Sequence, residues 1–137
     1  MKICASVKNS PNSHIATVKT NEAEKELRIE PKLGGRGSSI NGGELLFLSL
    51  ASCYCNDIFR EAEEMGIEVK DLEVNVEGHF GGKGKPTTLV NYDVKISANA
   101  DEEKIRELLK HTDTVAEIQN TLRISIPVNL RNIEIVQ

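Results

Sequence analysis

Residues 41–66 combine a helix start, a long apolar run and a helix end. Asn41 can accept a hydrogen bond from the free amides of a first helical turn, and Glu44 can reach back to form a capping box. Gly66 supplies the left-handed residue at which helices often end. The stretch therefore predicts one helix of about 24 residues, roughly 36 Å long at about 1.5 Å per residue.

The two halves of this helix differ in character. Residues 45–55 are apolar on nearly every side, so we expect them to be buried all round. The second half is amphipathic, with one side predicted to pack and the other to face water as a charged surface, not as a metal cluster. The packing side carries Ile58, Phe59, Ala62 and Met65, and the water side carries Arg60, Glu61, Glu63 and Glu64.

Apolar alternation and turn residues predict strands on both sides of the long helix. Three precede it, at 3–8, 14–19 and 27–30, and two follow it, at 69–78 and 89–98. Asp101 predicts the cap of a second helix, and residues 114–122 predict a short third one. Residues 124–128 and 133–136 predict one or two closing strands.

Helices and strands are segregated along this order, which indicates an α+β fold and not a parallel βαβ arrangement. A chain of 137 residues predicts a single domain over residues 1–137. The long helix is too apolar for one small sheet to cover. A symmetric homodimer, with two long helices packed between two sheets, would bury it.

Charge and composition exclude several classes of function. The 17 basic and 21 acidic residues give a net charge of −4, which argues against broad binding to nucleic acid or anionic membranes. No apolar run approaches the roughly 20 residues of a membrane span, and the first residues lack a signal-peptide pattern. We therefore expect a cytoplasmic protein. Its cysteines and scattered histidines show no ligand spacing, so the sequence predicts no metal and no cofactor.

Cys53 lies in the apolar half of the long helix, and its simplest interpretation is a small core residue. Cys55 follows two positions later, about 200° around the helix, so a disulfide between them would break the helix. The preceding glycine-rich connector, residues 33–43, does not match a phosphate-binding loop. We expect a flexible loop there that carries Arg36 above the helix start.

The run GGRGSSINGGELLFLSLASC, followed by MGIEV and LEVNVEG, resembles the OsmC/Ohr family. The later run AEIQNTLRISIPV resembles the family segment that carries a second cysteine. This resemblance implies an antiparallel sheet with a long central helix and an intertwined homodimer. It also implies a cytosolic protein, which in the best-known members is a thiol peroxidase acting on organic hydroperoxides.

In those peroxidases a helix cysteine attacks the peroxide, and a second cysteine resolves the resulting sulfenic acid to a disulfide. A glutamate and an arginine activate the first cysteine as a thiolate. Cys53 matches the attacking position, but Ala116 stands in place of the resolving cysteine and Gly43 in place of the glutamate. Glu44, nine residues before the cysteine, falls about 180° away on the helix and is better explained as a cap. The arginine has no clear counterpart, and Arg36 is the candidate substitute.

Three hypotheses follow. The first is a one-cysteine reductase of organic hydroperoxides with Cys53 as nucleophile. It needs a nearby cation, because a buried thiol is unreactive. It also needs an external thiol, because Ala116 cannot resolve the sulfenic acid of Cys53. The second is a non-catalytic dimer that binds a small hydrophobic ligand beside Cys53. In the third, Cys53 only fills the core. Cys55 from a paired chain remains a conceivable resolving residue for the first hypothesis.

Overall fold

The computed structural model describes residues 1–11 and 13–136, and it forms two compact units, Met1–Leu46 and Phe47–Gln137. The elements follow the order β1 (Ile3–Ser10), β2 (Ser13–Thr20), β3 (Ala23–Leu27), α1 (Gly42–Glu64), β4 (Glu68–Phe80), β5 (Thr87–Asn99), α2 (Glu102–Val115) and α3 (Glu117–Arg123). The α+β class is confirmed. None of the helices in the described ranges is long and apolar enough to cross a membrane.

The first unit contains an antiparallel sheet in the order β1-β2-β3. The first two predicted strands are confirmed. The third lies earlier than the predicted 27–30, because a tight turn after Thr20, with Asn21 at φ 51°, pairs β3 directly with β2. Turn geometry fixes strand register more strongly than a short alternating pattern does.

Hydrogen bonds shape the connector between β3 and α1. Pro31 and Ser38 form an isolated antiparallel bridge across it. The side-chain oxygen of Asn9 accepts a hydrogen bond from the amide of Gly37, at 3.1 Å. Gly37 has φ +80°, a conformation that glycine adopts without steric cost. Arg36 therefore sits in a bend with a defined backbone path.

Helix α1 begins and ends as its sequence predicts. The amide of Glu44 donates to Asn41 Oδ1 at 2.9 Å, and the amide of Asn41 donates to Glu44 Oε2 at 2.8 Å, which is a reciprocal capping box. At the other end Gly66 has φ +66°, and the amide of Ile67 donates to the carbonyl of Ala62 at 2.8 Å. These bonds are those of a Schellman motif.

One face of α1 is buried: Leu50, Tyr54, Asp57, Ile58, Glu61 and Ala62. The single chain does not bury the first half all round, since Leu48 is 59% exposed. Two assignments in the second half were wrong: Phe59 is half exposed and Glu61 is buried. Glu61 lies three residues after Ile58 and so shares its face, whatever its charge.

The second unit is built on the hairpin of β4 and β5, which extends both predicted strands. Alternate side chains of the hairpin pack against the buried face of α1 and against Leu108 of α2. Helix α2 starts at the predicted cap, where Asp101 accepts from the amide of Lys104 at 2.9 Å. The core consists of Tyr54, Ile58, Ala62, Ile67, Leu108 and Ala116, with partly buried side chains such as Leu72, Val74, Val94 and Ile96 around it.

The end of the chain departs from prediction. Helix α2 runs to Val115, so α3 begins later than expected, after an extended Ala116 at φ −70°, ψ 108°. The predicted closing strands at 124–128 and 133–136 are wrong: residues 124–136 form no strand in the described chain. Their apolar alternation is real, but a strand needs a sheet edge to pair with, and Pro127 cannot donate to one. Their apolar side chains are exposed.

Gly78 in β4 tests the packing of the second unit. A Cβ there would lie 2.7 Å from Phe47 Cζ and 2.9 Å from the carbonyl oxygen of Leu89. The Phe47 ring stacks on Phe80 with 5.9 Å between centroids, and the Leu89 oxygen belongs to the backbone of the paired strand, which cannot retreat without shifting β5. We expect Gly78→Ala to lower the free energy of unfolding by about 1–3 kcal/mol in urea titrations.

Gly42→Ala is the matched control, because a Cβ at Gly42 meets nothing within 4 Å at the start of α1. It should leave the free energy of unfolding unchanged or slightly raised. Equal losses in the two variants would contradict the packing of Phe47 over Gly78.

Candidate functional site

Cys53 lies against two carboxylates from different helices. Its thiol donates to Asp57 Oδ2, with 3.5 Å between sulfur and oxygen, and its sulfur is 3.9 Å from Glu117 Oε2. Asp57 follows Cys53 by one turn of α1, and Glu117 is the first residue of α3. The fold thus joins residues that are far apart in sequence.

Arg60 contacts the other oxygen of each carboxylate. Its Nη1 is 2.9 Å from Asp57 Oδ1 and 3.8 Å from Glu117 Oε1. Each carboxylate therefore has one oxygen near the sulfur and one near the guanidinium. We call these four residues, Cys53, Asp57, Arg60 and Glu117, the cysteine–carboxylate cluster.

A buried acid fixes Arg60. Glu61 Oε1 accepts from Arg60 Nε at 2.8 Å, and Glu61 Oε2 lies 2.9 Å from His111 Nε2 on α2. The hydrogen bond from Arg60 lowers the pKa of Glu61, with His111 contributing in the same direction. The ionised Glu61 thus binds the Nε side of the Arg60 guanidinium, while Nη1 faces the two carboxylates of the cluster.

Two hydrogen bonds tie the neighbouring helices to α1 around Cys53. Gln119 Nε2 donates to the carbonyl of Leu50 at 2.9 Å, and the hydroxyl of Tyr54 donates to the carbonyl of Leu109 at 2.7 Å. Since Gln119 is almost fully buried, its bond sets where α3 begins relative to the sulfur. The backbone amide of Ile118, in the first turn of α3, lowers the pKa of the Cys53 thiol.

The surroundings of Cys53 disfavour its thiolate. Burial raises the pKa of the Cys53 thiol, and the nearby charges of Asp57 and Glu117 raise it further. The amide of Ile118 opposes these effects in part. Burial also raises the pKa of Asp57, together with the charge of Glu117, while Arg60 lowers it. The thiol therefore stays protonated at neutral pH, with Asp57 as an adjacent base.

The structure places the sequence-predicted residues in different surroundings. Cys53 is partly buried within the cluster, whereas Cys55 lines a separate shallow depression with Val74 of β4. Both are free thiols. Ala116 is fully buried just before Glu117. Arg36 is exposed and belongs to the first unit, so its role beside Cys53 stays a prediction.

Sequence reasoning missed Asp57, Arg60 and Glu117. The spacing of Cys53 and Asp57, four residues apart on a helix, was a usable signal because such residues share a face. Glu117 had no signal, since only the packing of α3 on α1 brings it to the sulfur.

A family model described as OsmC-like protein matches residues 35–131. The chain belongs to the OsmC-like protein family. This agrees with the resemblance seen in the sequence. No curated protein matches the chain.

Solved structures share this OsmC-like fold. An OsmC-like protein from Mycoplasma pneumoniae is 20% identical, with 90% of this chain and 88% of that chain covered and a TM-score of 0.67. An organic hydroperoxide resistance protein OsmC from Legionella pneumophila is 19% identical, with 90% of each chain covered and a TM-score of 0.60. An OsmC-like hydroperoxide resistance protein from Jannaschia is 15% identical, with 96% and 91% covered and a TM-score of 0.58.

The raised pKa of Cys53 predicts a pH profile for its alkylation. In a variant with Cys4→Ser and Cys55→Ser, the rate of reaction with iodoacetamide should still be rising above pH 9.0, because the pKa of the Cys53 thiol is raised above its ordinary value of 9.0 and the rate follows the thiolate fraction. The rate is followed by mass spectrometry in metal-free buffer. A plateau reached near neutral pH would contradict the effect of the two carboxylates.

Proposed function

We propose that this OsmC-like chain acts in peroxide defence as a one-cysteine reductase of organic hydroperoxides, with Cys53 as the nucleophile. It would work as one domain over residues 1–137, as a homodimer, in the cytoplasm. Membership in the OsmC-like family supports the redox role. The observation that carries it is the partly buried Cys53 thiol hydrogen-bonded to the Asp57 carboxylate.

The first half-reaction needs a proton acceptor beside the sulfur. Asp57 Oδ2 takes the thiol proton as the sulfur attacks the distal peroxide oxygen and the O–O bond breaks. The electron pair leaves with the alkoxide, which takes the proton and departs as the alcohol. The hydroperoxide is reduced to an alcohol, and Cys53 is oxidised to a sulfenic acid.

The second half-reaction needs thiols from outside the chain, because Ala116 offers no sulfur. One small thiol condenses with the sulfenic acid of Cys53, releasing water and forming a mixed disulfide. A second small thiol then attacks the sulfur of the first in this mixed disulfide. The bond to Cys53 breaks, Cys53 is released as a thiol, and the two small thiols leave as a disulfide. Two thiols are thus oxidised for each hydroperoxide reduced.

The rate of the first step depends on how much thiolate forms. The carboxylates of the cluster hold that amount low, so a cation from elsewhere would accelerate the reaction. We retain Arg36 as the candidate for this cation. Its exposed side chain, flanked by two glycines in a bent loop, suits a group that approaches a bound substrate.

The decisive experiment compares two cysteine variants. With cumene hydroperoxide and a small dithiol, Cys53→Ser should abolish peroxide consumption, because it removes the attacking sulfur. Cys55→Ser should leave consumption unchanged, since Cys55 lies on another side of α1. Consumption of the hydroperoxide is measured by a peroxide assay, and mass spectrometry should show one added oxygen on Cys53. Equal loss in both variants, or an inert wild-type protein, would overturn the proposal.

One observation favours the alternative, a non-catalytic dimer that binds a small hydrophobic ligand. The raised pKa of Cys53 keeps its sulfur in the neutral form, as in an apolar packing residue. In this alternative the protein stays unoxidised at high hydroperoxide concentration. The same peroxide assay therefore decides between the two functions.

The homodimer is supported by apolar side chains that the single chain leaves in solvent. Leu48 and Phe59 on α1 are 59% and 50% exposed, and Leu89 on β5 is 65% exposed. Residues 124–136 add a further exposed apolar series. Burial of such surface at about 25 cal/mol per Å² is the usual driving force for obligate association.

We expect light scattering to give the mass of two chains at micromolar concentration. Leu48→Glu should shift the mass towards one chain, because it would bury an unpaired charge between the helices. Glu63→Gln, an exposed position on the same helix, is the control and should remain dimeric. A wild-type protein with the mass of one chain would rule out the dimer.

A further inference from the structure

We propose that Cys53, Asp57 and Glu117 form a binding site for a divalent metal ion of the zinc type. One sulfur and one oxygen from each carboxylate lie within 4.8 Å of one another. Thiolate, carboxylate and water are ligands that zinc accepts together. This site goes beyond the proposed reductase function and requires no reaction with peroxide.

The spacing of the ligand atoms fits one tetrahedral ion. Bonds of about 2.3 Å to sulfur and about 2.1 Å to oxygen place sulfur and oxygen about 3.6 Å apart in a tetrahedron. The observed separations are 3.5 Å from the Cys53 sulfur to Asp57 and 3.9 Å to Glu117. Both sulfur–oxygen separations are thus within a few tenths of an ångström of the tetrahedral value, and the two carboxylate oxygens lie within 4.8 Å of each other.

Asp57 has one strong and one weak hydrogen-bond partner. Its side chain is only 7% exposed. At Oδ1 it accepts from the Arg60 guanidinium, but the donor at Oδ2 is the thiol of Cys53, and a thiol is a weak donor. A buried carboxylate oxygen is thus directed at the sulfur with a poor partner, where a metal ion would be a strong one.

Charge leads to the same conclusion. With all three ligands ionised, the cysteine–carboxylate cluster carries three negative charges against the single positive charge of Arg60. A divalent ion would bring this sum to zero. Binding would release the thiol proton, as thiolate ligation requires.

Arg60 and Glu61 provide the outer support that metal sites need. Arg60 contacts the two carboxylate oxygens that face away from the sulfur, and Glu61 holds Arg60 in turn. Such outer partners orient the ligands and increase affinity. Glu117 is 66% exposed, so water can take the fourth position. A bound ion would occupy the Cys53 sulfur and inhibit the proposed peroxide reaction.

The test is a Co²⁺ titration of the reduced full chain without oxygen or peroxide. We expect one equivalent of Co²⁺ to give a thiolate-to-cobalt charge-transfer absorption that Zn²⁺ removes. Cys53→Ser should lose this absorption. Glu117→Gln, at an exposed position where folding is safe, should weaken binding roughly tenfold or more. Cys55→Ser is the matched control and should bind like the wild type, with circular dichroism confirming each fold.

Absence of the charge-transfer absorption in the wild type would overturn the site. So would an absorption that survives Cys53→Ser, or an affinity that Glu117→Gln leaves unchanged. Failure of this proposal is separate from failure of the reductase function. If the protein binds cobalt but is inert to hydroperoxide, the metal site stands and the reductase function is excluded. If it consumes hydroperoxide but shows no charge-transfer absorption, the reductase function stands and the metal site is excluded.

Discussion

The packing of one face of α1 determines where everything else in the second unit lies. Ile58 is fully buried in its centre, and Tyr54 and Ala62 extend the same face by one turn in each direction. Complete burial of a side chain such as Ile58 contributes about 1.5–3 kcal/mol. The β4–β5 hairpin and α2 cover this face, and α3 is tied to it through Gln119. The position of Glu117 beside Cys53 is therefore a consequence of the burial of Ala116 in the core and of the Gln119 hydrogen bond.

Burial of that face also buries two carboxylates, which is energetically unfavourable unless they are paired. Asp57 and Glu61 share the helical spacing of the apolar residues, so the packing that buries Ile58 buries two acids as well. Arg60, between them in sequence, contacts both, and His111 completes the partners of Glu61. Buried acids without such partners would be strongly destabilising. The chemistry proposed for Cys53 develops inside this network, which places two carboxylates beside the thiol and Arg60 on their far side.

Much of the fold could be predicted from the sequence, because its signals are local. The capping box of Asn41 and Glu44 and the left-handed Gly66 bounded α1 correctly, and period-two alternation found the β4–β5 hairpin. The closing strands failed because alternation supplies a pattern but not a partner. For the candidate site, the resemblance to a known helix directed attention to Cys53, whose role as the nucleophile stays a prediction. Glu117 was not predictable, since its contact with the sulfur depends on the exact start of α3, and Glu61 was misjudged because charge was weighed above helical phase.

The glycine at position 78 has an implication for how this sequence can vary. The ring of Phe47 occupies the space in which any other residue at 78 would place its first carbon. A smaller side chain at 47 would relieve one of the two close approaches at 78, but the approach to the backbone oxygen of Leu89, at 2.9 Å, would remain. Position 78 is therefore held to glycine by its own hairpin as well as by the ring, and a second change at 47 would restore only part of the stability that a side chain at 78 removes.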